Sequence, residues 1–319
     1  MKVLATGASG FLGRAVVHAL QHEGHEVRTL QRRPSAVPGA DDRLGSVTDP
    51  DAVAAALDGV DGVVHLAAKV SLAGDPVEFH AVNVGGTRTL LDAAAAAGVT
   101  RVVHVSSPSV AHAGHALAGV GAEPADPRAA HGEYARTKAE AELLALDRAR
   151  AGLSLVAIRP HLVWGPGDTQ LIARVVDRAR RRTLPLLDGG TALIDSTYVD
   201  NAASGIAAAL ARVDEVSGRV YVLTNGEPRP VGDLLAGICR ASGVPTPRFS
   251  VPAGLAKAAG ALVERVWAVR PGVDEPPMTR FLAEQLSTAH WFDQTEIRRD
   301  LRWRPAVSID EGLRRLARA

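Results

Sequence analysis

Hydrophobic residues in the first half of the chain form short apolar runs, and these runs alternate with stretches of helical periodicity. The apolar runs predict strands at residues 2–6, 27–30, 62–66, 101–106 and 153–158, and a further strand that ends at Leu44. The helical patterns cover residues 11–22, 50–57, 76–97 and 133–150. Strands that alternate with helices are typical of a parallel sheet covered by helices on both faces. Apolar runs without polar alternation indicate that the strands are buried on both faces.

The pattern becomes less regular after Pro160, where glycine and proline turns separate shorter segments. Val220–Leu223 is again a short apolar run, and it predicts a strand that returns to the sheet. We therefore expect an α/β fold, namely a Rossmann-type doubly wound parallel sheet with a smaller C-terminal lobe.

Two segments stand apart from this alternation. Residues 111–130 are rich in alanine, glycine and proline, and they predict a long loop of the kind that often has a function. Leu255–Val269 has apolar residues at helical spacing. This segment is either an ordinary core helix or an exposed helix that acts as a lid or contacts a membrane.

Composition narrows the classes of protein that fit. The 319 residues carry a formal net charge of +1, which argues against a nucleic-acid partner. The single cysteine, Cys239, excludes an internal disulfide framework and a multi-cysteine zinc site, and we expect no bound metal. No apolar run reaches about 18 residues, and the N-terminus lacks the pattern of a signal peptide. The prediction is a cytoplasmic protein.

The first glycine turn has the spacing of a dinucleotide site. Gly7, Gly10 and Gly13 follow the first strand and open the first helix. Glycines at this spacing allow a tight turn and a close approach of the backbone to a pyrophosphate, which the helix N-terminus then binds. The residues predicted to hold the cofactor here are Gly7, Ser9, Gly10, Phe11, Leu12 and Gly13.

The end of the second strand indicates which cofactor binds. An acidic residue there would bind the ribose 2′-hydroxyl of NAD, but this strand ends in Gln31, Arg32 and Arg33. Arginine pairs well with phosphate, so we expect NADP(H), with NAD(H) as the alternative. The chain has 32 arginines and four lysines, so both arginines could equally be solvated surface residues. The predicted NADP-binding domain is 1–165 with a strand return near 192–225, and the substrate-binding lobe is 166–191 and 226–319.

A tyrosine and a lysine predict the chemistry. Tyr134 and Lys138 lie four residues apart on one helix face, and the chain has only three tyrosines. A nearby ammonium and an oxidised nicotinamide would lower the tyrosine pKa and let it exchange a proton with a substrate oxygen. Ser106 and Ser107 end the fifth strand, where ligands bind in such sheets, and a hydroxyl there could hold the substrate oxygen or merely satisfy the strand end. Asn83 occupies a helical stretch with two glycines, a local conflict that often marks a functional site.

Taken together, these motifs resemble the extended short-chain dehydrogenase/reductase superfamily. The matching segments are Thr6–Gly13, His65–Ala68, Asn83–Thr87, Ser106–Ser107, Tyr134–Lys138 and Arg159–Asp168. The resemblance implies that Ser107, Tyr134 and Lys138 are catalytic and that Asn83 supports the proton relay. It also implies cofactor contacts by Leu66, Ala67, Ala68, Tyr134, Lys138, Pro160, Leu162 and Val163, and a homodimer formed through helices 76–97 and 133–150.

Later segments, among them His161–Asp168, Tyr198–Ala202, Thr224–Pro228 and Glu275–Thr279, are similar to the 3β-hydroxysteroid dehydrogenase branch and to the family of bacterial 2-alkyl-3-oxoalkanoate reductases. This resemblance implies a ketone–alcohol interconversion on a hydrophobic 3-oxo or 3-hydroxy acid, with Arg136 as a candidate partner for its carboxylate. An uncharged steroid or another ketone is an alternative substrate. A sugar-nucleotide epimerase or dehydratase and a non-catalytic NADP sensor are alternative functions.

Overall fold

The computed structural model describes residues 1–71, 74–111, 114–268 and 280–319, without the side chains of 264–268 and 280–282. The Glu275–Thr279 motif lies outside the described residues. So do Val269 and the side chains of Val266 and Trp267, which belong to the apolar segment predicted above.

Fifteen strands lie in the described part of the chain. They are β1 (Lys2–Thr6), β2 (Glu26–Gln31), β3 (Asp41–Leu44), β4 (Gly62–His65), β5 (Arg101–Val105), β6 (Leu117–Val120), β7 (Ser154–Pro160), β8 (Val163–Trp164), β9 (Leu186–Leu187), β10 (Leu193–Ile194), β11 (Thr197–Tyr198), β12 (Val220–Leu223), β13 (Arg229–Pro230), β14 (Ser250–Val251) and β15 (His290–Phe292).

Twelve α-helices lie in the same described ranges. They are α1 (Phe11–His22), α2 (Pro50–Leu57), α3 (Pro76–His80), α4 (Gly86–Ala96), α5 (Glu133–Arg150), α6 (Leu171–Arg180), α7 (Val199–Ala211), α8 (Val231–Ala241), α9 (Ala253–Ala268), α10 (Arg280–Ser287), α11 (Thr295–Asp300) and α12 (Ile309–Leu316). A π-helix, Ala81–Gly85, joins α3 to α4, and short 3₁₀ turns cover Pro108–Ala111 and Asp188–Gly190.

The central sheet has seven parallel strands in the order β3-β2-β1-β4-β5-β7-β12. The strand order reverses between β1 and β4, and ligands of doubly wound sheets bind at such a point, outside the carboxyl ends of the strands. This sheet confirms the predicted Rossmann-type fold and the return of Val220–Leu223. The division into two domains stays a prediction.

Successive side chains of each central strand point to opposite faces, and each face has its own core. Val103 and Val105 of β5 pack with residues of α1 and α7 on one face. Val102 packs on the other face with Leu90 of α4 and Ala145 of α5. The helices that carry the predicted catalytic residues therefore cover one defined face of the sheet.

Two sequence predictions about local structure are wrong. The predicted helix over 76–97 is divided, because the π-helix Ala81–Gly85 interrupts it at Asn83 and its neighbouring glycines. The predicted loop over 111–130 contains β6, which pairs with β15 in a second, four-stranded sheet. Its partner strand lies about 170 residues further along the chain, so no local pattern could reveal this pairing.

The described part of α9 does not behave as a core helix. Leu255 and Leu262 are 65% and 64% exposed, and Ala258 and Ala259 on the same face are exposed as well. Ala256 lies on the opposite face and is buried. The core interpretation is therefore wrong for these four residues, because their apolar stripe points to solvent.

Candidate active site

The glycine turn after β1 packs main chain against main chain. Gly7 has φ +73°, which glycine adopts without steric cost. A Cβ atom on Gly7 would lie 2.9 Å from the backbone nitrogen of Ala67, and one on Gly13 would lie 2.3 Å from the Gly7 carbonyl oxygen. Glycine is required at both positions. The turn therefore brings the start of α1 against Ala67, which follows β4 between the half-buried Leu66 and Ala68.

The first turn of α1 offers hydrogen-bond donors. Among the described residues, the N–H groups of Phe11, Leu12 and Gly13 have no acceptor, and no side chain caps the helix. The first turn also contains no acidic residue. Free N–H groups at the positive end of a helix dipole favour an anion. The pyrophosphate of a dinucleotide fits this turn, which contains Ser9 and Gly10 as well.

The end of β2 adjoins this turn, because the Gly7 N–H donates to the Leu30 carbonyl oxygen at 3.1 Å. Gln31 is buried there, and its Oε1 has no partner among the described residues. Arg32 and Arg33 follow on the surface, where neither guanidinium has an ion pair or hydrogen bond within the described part of the chain. Two such cations beside an anion site can bind a further phosphate.

His65 connects β1, β4 and α4 beneath the turn. Its Nδ1 is 2.8 Å from Thr6 Oγ1 and its Nε2 is 3.0 Å from Thr87 Oγ1. Thr6 Oγ1 also accepts from the Ala67 N–H at 3.1 Å. Burial, with a smaller contribution from the Lys138 charge, lowers the pKa of His65 to about 3. His65 is thus a neutral residue that holds the segment after β4 in place.

Asn83 sits in the π-helix and connects two other parts of the site. Its Oδ1 accepts from the Lys69 N–H at 2.7 Å, and its Nδ2 donates to Thr137 Oγ1 at 2.9 Å. Thr137 lies inside the Tyr134–Lys138 motif on α5. Asn83 therefore ties α5 to the segment after β4, and π-helical turns of this kind are frequent at functional sites.

Tyr134 lies at the start of α5, half-buried, and the Ser107 side chain is near enough to act on its pKa. The Ser109 hydroxyl donates to Ser107 Oγ at 2.9 Å, which leaves the Ser107 proton for Tyr134. Burial raises the pKa of Tyr134, and the nearby Ser107 side chain acts in the opposite direction. The sequence predicted a lowered pKa. The protein's own residues do not produce it, because the Lys138 ammonium is directed elsewhere.

Lys138 is buried one turn further along α5, with only 4% of its surface exposed. Its Nζ donates to the Val105 carbonyl oxygen at 2.7 Å, at the carboxyl end of β5. Burial lowers its pKa to about 8, and the Glu142 carboxylate opposes this effect. Lys138 is therefore still mostly protonated at neutral pH, although it is buried.

Pro160, Leu162 and Val163 follow the carboxyl end of β7, at the same edge of the sheet. Leu162 and Val163 pack against the same hydrophobic cluster as Phe11 and Leu12 of the glycine turn. Leu162 has φ +41°, an uncommon backbone conformation for a residue other than glycine. Such strained positions cluster at functional sites. The structure thus brings these residues to the helix end that the sequence assigns to the cofactor.

Other motif residues have structural partners. Arg136, the candidate for a substrate carboxylate, forms ion pairs with Glu133 and Glu140 on its own helix, and its assignment to the substrate stays a prediction. The Asp168 carboxylate accepts from the N–H groups at the start of α6, at 2.7 Å from Gln170. These side chains position elements of the fold.

Thr137 and Arg159 lie in the sequence motifs given above, but their role in positioning α5 was not predicted from the sequence. Thr137 is the residue before Lys138, but its hydrogen bond with Asn83 could not be predicted because Asn83 is distant in sequence. Arg159 is the one charged residue in the apolar run of β7, and this was a usable signal. It is buried and binds both oxygens of the Glu142 carboxylate, at 2.8 and 2.5 Å, which fixes α5 to β7.

Comparison with known proteins agrees with this geometry. The sequence profile of the NAD dependent epimerase/dehydratase family matches residues 3–224, which is more than half of the chain. The chain belongs to this family. The resemblance to extended short-chain dehydrogenases/reductases is thereby confirmed, and the chain is an NAD(P)-dependent enzyme of that type.

Individual relatives in this family are similar over nearly the whole chain. A 2-alkyl-3-oxoalkanoate reductase of Stenotrophomonas maltophilia is 42% identical, with 99% of this chain and 98% of the relative covered. A 3 beta-hydroxysteroid dehydrogenase/Delta 5-->4-isomerase of Mycobacterium tuberculosis is 31% identical, with 98% and 88% covered. The crystal structure of a short-chain dehydrogenase/reductase superfamily protein of Agrobacterium tumefaciens with bound NAD has a TM-score of 0.79 at 25% identity, and the match covers 100% and 96%.

The part of the chain described here contains no helix with both the length and the apolar character needed to cross a membrane.

Proposed function

We propose that this enzyme is an NADP(H)-dependent reductase of 3-oxo acids with a hydrophobic chain. One observation carries the reaction type. Tyr134, with Ser107 beside it, and the buried cation Lys138 lie together where β5 ends at the carboxyl edge of the sheet. An acid–base hydroxyl, a second hydroxyl and a cation are the groups that the interconversion of a ketone and an alcohol requires.

In the proposed mechanism, NADPH held at the glycine turn would supply the hydride that the carbonyl carbon accepts, and would become NADP⁺. The Tyr134 hydroxyl donates its proton to the carbonyl oxygen, and the product is a secondary alcohol. Ser107 holds the same oxygen by a hydrogen bond and so orients the carbonyl group. Lys138 Nζ donates to the Val105 carbonyl oxygen, and in the proposed reaction it turns from there towards Tyr134. Its charge then stabilises the phenolate that Tyr134 leaves, because a nearby positive charge favours the ionised form. Asn83 supports these residues by fixing α5 through Thr137.

Arg32 and Arg33 support the preference for NADP(H). They are exposed next to the glycine turn, and β2 itself ends without an acidic residue. The Asp42 carboxylate of the neighbouring β3 lies at this strand end, where it accepts from Gln31 Nε2 at 3.2 Å. Gln31 favours the alternative cofactor, NAD(H), since its unpaired Oε1 can accept from a ribose hydroxyl of NAD(H). Steady-state kinetics with both reduced cofactors decide between them. We expect a lower KM for NADPH, and a clear preference for NADH would contradict the proposal.

The substrate class rests on the names of the relatives and on the apolar face of α9. A reductase of 2-alkyl-3-oxoalkanoates is 42% identical to this chain. The direct test is oxidation of NADPH by 2-alkyl-3-oxo acids of short, medium and long chains, with a 3-oxosteroid and a UDP-sugar as contrasts. The stable 2-alkyl-3-hydroxy acids with NADP⁺ measure the reverse reaction. Turnover of the oxo acids alone is expected, whereas epimerisation of the UDP-sugar without net oxidation of NADPH would favour an epimerase.

Three further features of the proposal concern assembly and location. A homodimer through 76–97 and 133–150 is supported by the exposed apolar residues Val77 and Leu143 on these helices. Light scattering would give twice the chain mass if it forms. The exposed stripe of α9 supports a peripheral contact with a lipid surface. Location in the cytoplasm stays a prediction.

A further inference from the structure

A buried polar cluster next to Lys138 takes no part in the reaction proposed above. His104 of β5 is fully buried, and neither of its ring nitrogens has a hydrogen-bond partner among the described residues. The hydroxyl of Ser106 is buried and equally without a partner in the described part of the chain. Between these two residues lies Val105, whose carbonyl oxygen accepts the hydrogen bond from Lys138 Nζ.

The two side chains point towards the face of the sheet from which Lys138 comes. Val103 and Val105 face the core formed with α1 and α7. His104 therefore faces the opposite side, which α4 and α5 cover. Ser106 continues this alternation, because its N–H still donates to the Ile158 carbonyl oxygen of β7 at 2.7 Å.

The neighbouring side chains cannot supply hydrogen-bond partners for His104 and Ser106. The His65 ring lies 5.6 Å from the His104 ring, but both of its nitrogens are engaged by Thr6 and Thr87. The Glu142 carboxylate is engaged by Arg159. Lys138 has three N–H donors and one acceptor, Val105, among the described residues.

Unpaired donors and acceptors that meet inside a protein are costly, and a buried water molecule is the usual way to satisfy them. We propose that His104 and Ser106 hold one buried water molecule against the Lys138 ammonium and thereby act as positioning residues for it. The water accepts one N–H from Lys138 and donates its two protons to a ring nitrogen of His104 and to Ser106 Oγ. The role in catalysis rests on the proposed function, whereas the water site itself does not.

The water solvates the buried cation, so its loss has a measurable consequence. The groups that act on the Lys138 charge are Glu142, which favours it, and the neutral imidazoles of His65 and His104. Removing a solvating dipole from a buried ammonium disfavours the charged form. Loss of the water therefore lowers the pKa of Lys138 further below its ordinary value.

The test uses protein labelled with ¹³C at the ε carbon of lysine, which gives four resonances because the chain has four lysines. Lys138→Met identifies the Lys138 signal by its disappearance. We expect His104→Phe to lower the measured pKa of Lys138 by about one unit or more. His104→Gln keeps a polar group and is expected to restore most of the wild-type value. His18→Gln, at an exposed position on α1, is the matched control and should leave all four signals unchanged.

If His104→Phe does not fold, Ser106→Ala is a milder substitution that removes one of the proposed hydrogen bonds to the water molecule. A high-resolution crystal structure of the wild type should contain a water molecule within hydrogen-bond distance of His104, Ser106 and Lys138 Nζ. An unchanged Lys138 pKa in the folded variants, or a structure in which a protein group fills this position, would overturn the proposal. If the lysine shift appears but the wild type reduces no 3-oxo acid, the water site stands and the proposed function is wrong.

Discussion

The two ends of the candidate cofactor cleft are built in different ways. At the catalytic end, Lys138 and Asn83 are buried, and protein atoms hold each of them. At the other end, Arg32 and Arg33 lie on the surface without a partner among the described residues. The catalytic end is therefore organised before any ligand binds, whereas the arginines depend on the ligand for their order. Substitutions should accordingly change turnover at one end and cofactor affinity at the other.

The largest effect is expected at Lys138. Lys138→Met should lower kcat by about 10²- to 10⁴-fold, since the charge that stabilises the Tyr134 phenolate is lost. The same variant should be more stable. Lowering a lysine pKa from 10.5 to about 8 represents roughly 3 kcal/mol of burial cost, and the lost hydrogen bond to Val105 offsets about 1 kcal/mol of the gain. Urea unfolding at pH 7 should thus show a net gain of about 2 kcal/mol.

The sign of this effect can be checked with pH. The unfolded chain binds more protons than the folded one between pH 8 and about 10.5, so the wild type gains stability over that range. The advantage of Lys138→Met should therefore shrink as the pH rises from 8 to 10. Lys257→Met is the control and should lack both effects. A Lys138→Met protein that is less stable than the wild type at pH 7 would contradict this account.

The arginines give the next largest effect. Replacing both Arg32 and Arg33 with alanine should raise the KM for NADPH by about 10- to 100-fold, because hydrogen bonds to charged groups contribute about 1.5–3 kcal/mol. The KM for NADH and kcat should change by less than about threefold. Equal losses with both cofactors would show that the arginines do not recognise the 2′-phosphate. If the double variant binds NADPH with the wild-type affinity, the two arginines do not contact the cofactor.

Acid should weaken the catalytic end through its buried imidazoles. The folded-state pKa of His65 is about 3 and its ordinary value is 6.5, so its contribution is fully present above pH 6.5 and is lost as the pH falls towards 3. Between pH 7 and pH 5 we expect a loss of about 2 kcal/mol in urea unfolding. The loss should be smaller in His65→Gln and unchanged in the arginine double variant. If His65→Gln loses as much unfolding free energy as the wild type between pH 7 and pH 5, groups other than His65 cause the acid sensitivity.

The smallest effect on stability is expected on α9. Because Leu255 and Leu262 are exposed, replacing each with serine should change the free energy of unfolding by no more than about 0.5 kcal/mol. The double variant should bind less to phospholipid vesicles in a co-sedimentation assay. Ala256→Ser, on the buried face, is the contrast and should cost more stability. A loss of about 2 kcal/mol in the exposed positions would restore the core interpretation of this helix.

The contrast between the two ends also explains what the sequence could predict. The glycine turn and the Tyr134–Lys138 pair were predictable, because their chemistry requires fixed spacings within one strand–turn–helix or one helix. Asn83 was found through its conflict with helix propensity, which the π-helix explains. Long-range pairing was not predictable, as the strand β6 illustrates. The raised pKa of Tyr134 was missed because spacing along a helix does not reveal that Lys138 Nζ turns to the Val105 carbonyl.

The central claim is that Tyr134 exchanges a proton with a ketone while NADP(H) exchanges a hydride. The most direct test compares the wild type and Tyr134→Phe in the oxidation of NADPH by a 2-alkyl-3-oxo acid, with NADPH binding measured by fluorescence. We expect kcat to fall by about 10²- to 10⁴-fold in Tyr134→Phe while the Kd for NADPH stays within about twofold. Turnover by Tyr134→Phe at the wild-type rate would contradict the account.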